Sequence, residues 1–132
     1  MGDVNEDHRL VARATMVATR PVPGTPVRRV CAFEIPSSTD WAPPLPGSVF
    51  APNLYVDISG TLEVKLAAMK AYAETYRSEV RPYPHPRSME ALTAYAQRHG
   101  AASGQLAAEP FMLLRESASA GMAGWLADGV TP

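Results

Sequence analysis

A chain of 132 residues, 46% of them apolar, is long enough for one domain with its own core. Its 12 basic and 13 acidic side chains leave a formal charge of −1, which excludes the basic footprint of a nucleic-acid binder and offers an anionic membrane nothing to attract. The lone cysteine, Cys31, excludes an internal disulfide framework and suits a reducing compartment. The acidic start, Gly2-Asp3-Val4-Asn5-Glu6-Asp7, lacks the basic and apolar regions of a secretory signal, and no apolar run reaches membrane-spanning length. The expectation is a soluble, cytoplasmic protein.

In chain order, a helical pattern runs from Arg9 to Arg20 and is closed by Pro21. Asn5 or Asp7 can cap its free N–H groups, and an acid there suits the positive end of the helix dipole. His8 in the same first turn feels that field, which disfavours its protonated form and keeps a ring nitrogen free to bind a metal. On these residues alone, Asp7 as a cap and His8 as an ordinary first-turn side chain is the simpler reading. The helix is apolar around most of its circumference (Leu10, Val11, Ala14, Val17, Ala18), which predicts burial against a sheet. A strand is predicted over Val27–Ile35. Its unbroken apolar centre, Val30 to Phe33, fits a strand covered on both faces, as in parallel sheets, with Cys31 a buried thiol rather than a nucleophile.

The Pro-rich stretch 36–52 is predicted to be a loop, whose Trp41 and Phe50 either close over a ligand, pin the loop to the surface or meet a partner chain. Asn53–Ile58 reads as a second strand. A second helix, capped by Ser59 or Thr61, runs towards Arg77 with Leu62, Leu66, Met69, Ala73 and Tyr76 as its buried stripe. The alternating prolines of Arg81–Arg87 predict an extended linker carrying His85. Ser88 caps a third helix through His99, with Gly100 as its stop, and Ala108–Arg115 reads as a third strand with Pro110 near its start. Residues 117–132, rich in Ser, Ala and Gly, are expected to be a flexible tail. About three strands and three helices in this order predict part of a layered α/β domain. A parallel sheet so small leaves edges and apolar faces for a partner to cover.

Several of these stretches together resemble one family. Gly2-Asp3-Val4-Asn5-Glu6-Asp7-His8-Arg9, with Arg20-Pro21 closing the helix, is similar to the downstream zinc motif of the PIG-L/LmbE-like deacetylases. So are Tyr55-Val56-Asp57-Ile58-Ser59, Lys65 and Tyr72, Pro86-Arg87-Ser88, Gly100, and Ala108-Glu109-Pro110-Phe111, all in the family's order across residues 2–116. The resemblance implies a domain over 1–116 that is the C-terminal half of an LmbE-like fold, a partial Rossmann-like sandwich. It also implies zinc as cofactor and N-acetylglucosamine-type amino-sugar conjugates as deacetylation substrates. It places His8 as a metal ligand and Asp7 as the catalytic-site carboxylate beside it.

The family's early Ala-His-Pro-Asp-Asp motif, which supplies two further ligands and the general base, has no counterpart in this sequence. Where some members carry a histidine that protonates the leaving amine, this sequence has Asn5. Catalytic zinc takes three protein ligands and keeps a fourth position for water. His85, His99 and Asp57 are not spaced to replace the missing pair. The expectation is therefore a chain that does not retain zinc alone and becomes active with an N-terminal half supplied in trans. The alternatives are a non-catalytic module that self-associates, or an enzyme whose start is mis-assigned.

Overall fold

The computed structural model describes residues 2–76 and 79–117, so the expected tail lies outside the described residues beyond Ser117. The element order is α1 (Glu6–Ala18), β1 (Arg29–Phe33), β2 (Leu54–Asp57), α2 (Leu62–Thr75), α3 (Met89–Ser103) and β3 (Ala108–Glu116). The fold is mixed α/β, and the six elements match the predicted ones in kind and order. Their arrangement differs in one respect that governs the rest. The sheet order is β1-β3-β2, and β3 runs antiparallel to both neighbours. The parallel sheet expected from Val30–Phe33 is therefore replaced by an open antiparallel one. A parallel β1–β2 pair needs a long crossover, usually helical. The connection between them here is a series of Pro-stabilised turns, and the last strand enters between the two instead.

Cover of β1 on both faces also fails: Val30 is buried, but Phe33 is 64% exposed. Phe33 stands opposite Phe111, and Phe111 opposite Leu54, so one apolar row crosses all three strands. Pro110 sits in the central strand, opposite Tyr55. Its missing donor is tolerated because Phe111 serves β2, accepting from Asn53 N–H at 3.0 Å, and alternation turns the Pro110 nitrogen towards the other side. There the β1 ladder has already ended, at Phe33 opposite Phe111.

The core lies under α3. Leu92, Ala96, His99 and Gly100 recur at helical spacing on its buried face, which packs on β3 and β2. Ser88, wholly buried, caps the helix by accepting from Ala91 N–H at 3.0 Å. Gly100 does not stop the helix, which continues to Ser103 and ends at Gly104 in the left-handed conformation, φ +75°. Gly100 instead allows the helix to touch the returning chain: a Cβ there would lie 2.7 Å from Ala107 Cα. The α2 stripe is present but shallow; Leu62, Leu66, Met69 and Ala73 are half-buried against α3, and Tyr76 is exposed.

α1 departs furthest from expectation. None of its residues is buried, and Val11 is 63% exposed. It is held mainly at its ends, by Val4 N–H donating to Ser38 O at 3.1 Å and by the Arg115 guanidinium donating to Thr19 O. Between its middle and the sheet lies a cavity. The segment 81–87 is also not extended: His85 N–H donates to Pro82 O at 3.1 Å and Ser88 N–H to His85 O at 2.9 Å, folding it into consecutive turns. Proline fixes φ but leaves the carbonyls free to accept such bonds.

Candidate functional site

The start of α1 is built from local hydrogen bonds. Asn5, not Asp7, caps the helix, its Oδ1 accepting from Asp7 N–H at 2.9 Å. Asp7 is exposed. The carboxylate that meets His8 is Asp3, five residues earlier, with Oδ2 3.1 Å from His8 Nδ1. Ser38 Oγ lies 3.2 Å from the same nitrogen and donates to Asp3 Oδ1, which also accepts from Asn5 N–H at 2.7 Å. Burial works against a charged Asp3, but the donors from Ser38, Asn5 and His8 outweigh it and hold its carboxyl below the usual value.

An ionised Asp3 can only accept, so Nδ1 carries the proton in this pair. The other nitrogen of a neutral His8, Nε2, then keeps its lone pair, and it makes no hydrogen bond to a described residue. This is the arrangement in which a carboxylate orients an imidazole to act as base, acceptor or ligand. It is not a nucleophilic triad, because Ser38 and Asp3 approach the same ring nitrogen, whereas a triad needs one on each. Sequence reasoning assigned the carboxylate to Asp7 by adjacency. The available signal for Asp3 was a turn signature, an acid two residues before a cap, whose reach to His8 depends on the fold.

Ser38 comes from the Pro-rich loop, which joins this centre to a second one. Ser37 and Ser38 are buried, Ser37 N–H donates to Asp40 Oδ2 at 2.8 Å, and Asp40 Oδ1 accepts from Tyr95 on α3 at 2.7 Å. Just before the loop, Glu34 Oε1 lies 3.1 Å from His99 Nε2. His99 is 3% exposed, with the rings of Tyr55 and Tyr95 beside it. Burial pushes the Glu34 carboxyl up, against the attraction of His99, and burial with the Asp40 acceptor raises the Tyr95 phenol. His99 and Glu34, neither read as functional in the sequence, form the most buried acid–base pair among the described residues. The pair ties α3 to the end of β1.

Two other expectations are resolved by position. Trp41 meets the His85 ring edge-on at 5.4 Å, so it pins the loop to the 81–87 turns. Phe50 lines the cavity beneath α1. Cys31 is a half-buried free thiol on the cavity wall.

Among the described residues, no three His, Cys, Asp or Glu side chains converge as a metal centre. His8 offers one nitrogen, and its nearest carboxylate is already bonded to Nδ1. These residues alone do not fit zinc, which needs three protein donors in a catalytic site. Among the described residues no helix is long and apolar enough to cross a membrane. No protein-family model, curated protein or solved structure matches the chain.

Proposed function

We propose that the chain is one part of a hydrolase of the PIG-L/LmbE-like kind, presenting His8 as a single oriented donor whose companion groups come from polypeptide outside these residues. One observation carries this reading: Asp3 holds Nδ1 of His8, a residue that lines the cavity, and Nε2 has no hydrogen bond to a described residue. That is how a histidine is prepared for ligation. In this reading the open sheet is part of a larger Rossmann-like layer, and the apolar row Phe33–Phe111–Leu54, exposed at Phe33, is surface for the missing part to cover. Amino-sugar conjugates are the substrate class that the resemblance supplies.

The test is reconstitution with a polypeptide carrying the Ala-His-Pro-Asp-Asp motif, on a second chain or fused ahead of Gly2. Zinc content and amine release from an N-acetylglucosamine conjugate should both appear only in the pair. His8→Ala should remove both. Asp3→Asn should lower the rate by about 10–100-fold, because it orients the ring rather than donating to the metal. Asp7→Asn separates the two carboxylates, since the family correspondence selects Asp7 and the hydrogen bonding selects Asp3. Full zinc and full rate in His8→Ala would overturn the reading. The same apolar row, open to solvent at Phe33, also favours a second reading, a non-catalytic module that assembles with itself. Stable self-association by light scattering, with no gain of zinc or activity in the pair, would establish that reading instead.

A further inference from the structure

The cavity beneath α1 measures about 320 Å³. Val11, Ala12 and Met16 form its roof, and Val30, Met112 and Leu114 form much of its floor. Asp3 and His8 stand at one end. It opens to solvent past Val11, Phe33 and Val49, so a small molecule can reach it without unfolding the chain. Water that enters finds few polar partners among walls that are chiefly hydrocarbon, so an apolar group displaces it at a gain. The same open space lies beside the middle of α1, none of whose residues is buried.

We infer that this cavity is a binding site for a small, neutral, apolar molecule of about ten carbon atoms bearing one hydroxyl or N–H donor. An apolar cavity of about 150 Å³ accepts benzene, so roughly twice that volume suits a two-ring aromatic or a chain of similar bulk. The donor is specified by His8. With Nδ1–H turned to Asp3, the neutral ring keeps a lone pair at Nε2 that can accept one hydrogen bond. The inference uses the same Nε2 that the hydrolase reading gives to zinc, so it concerns the metal-free chain and its test needs no metal.

The probe is 2-naphthol, with 2-methoxynaphthalene as a partner of similar shape that lacks the donor. Titration of the full chain, followed by amide NMR shifts, should give saturable binding of 2-naphthol with shifts centred on Val11, Ala12, Met16, Ala32 and Met112. The methoxy compound should bind about five-fold more weakly, the value of one hydrogen bond. His8→Ala should abolish that preference while leaving weak binding of both compounds. Ala12→Phe fills the cavity from the helix and Ala32→Leu from the sheet, so loss of folding in one leaves the other to decide; each folded variant should bind 2-naphthol at least ten-fold more weakly. Absence of saturable binding, equal affinity for the two compounds, or shifts centred elsewhere would overturn the inference.

Discussion

Gly100→Ala tests how α3 meets the sheet. Inside a helix, alanine is favoured over glycine by about 1 kcal/mol. If Gly100 were simply an interior position with room to spare, the substitution would stabilise the protein. The structure predicts the reverse. An added Cβ would lie 2.7 Å from Ala107 Cα, 2.7 Å from Ala107 N and 2.7 Å from Gln105 O. All three are backbone atoms, so no change of rotamer relieves the overlap, and the turn between α3 and β3 must move. Overpacking of this kind costs roughly 1–3 kcal/mol, and the rigid neighbours place Gly100 near the upper end. Less the propensity gain, the net loss is about 2 kcal/mol. At about 4 °C per kcal/mol for a chain of this size, the Tm should fall by about 8 °C. The control is Gly104→Ala. That position is open, with nothing within 4 Å of a Cβ, but its φ of +75° costs a side chain about 1 kcal/mol. Thermal and urea unfolding followed by circular dichroism measures both. A Gly100→Ala protein as stable as the parent, or more so, would refute the close approach and with it the account of how α3 packs.

Ser88→Ala should cost about 1 kcal/mol, seen as a lower urea midpoint at unchanged slope, because it strips the buried cap from α3 and leaves Ala91 N–H unpaired. Asp3 gives a pH dependence of known sign. Its folded pKa lies below the ordinary 3.8, so its contribution to stability is present above that value and is lost as the pH falls through the lower folded one. Asp3→Asn should therefore weaken the protein at neutral pH and flatten the acid limb of its stability curve below pH 3.8; an unchanged acid limb would mean that the Ser38–Asp3–His8 bonds do not stabilise the fold.

What the sequence determined by itself is what depends on near neighbours. Periodicity located all three helices, although Thr61 stands before α2 without a side-chain cap bond; alternation and apolar runs located the strands, and Ser88 was legible as a cap because a cap acts within three residues. The place of His8 in the first turn of a helix was legible for the same reason, but the Asp3 and Ser38 contacts that orient its ring were not. Everything that needed a distant partner was decided by the tertiary structure. The strand order β1-β3-β2 followed from where the chain returns after α3, and that made the sheet antiparallel although the apolar run of β1 reads like a parallel strand. Gly100 reads as a stop, but its role is set by Ala107 across the turn. Asp7 adjoins His8 in sequence, yet the first helical turn carries it out to solvent while the preceding turn brings Asp3 and the distant Ser38 onto the ring. The apolar girth of α1 signals burial without saying against what. Only the packed fold shows that its middle faces a cavity, because the sequence records how much apolar surface a helix carries and the tertiary structure decides whether anything fills the space beside it.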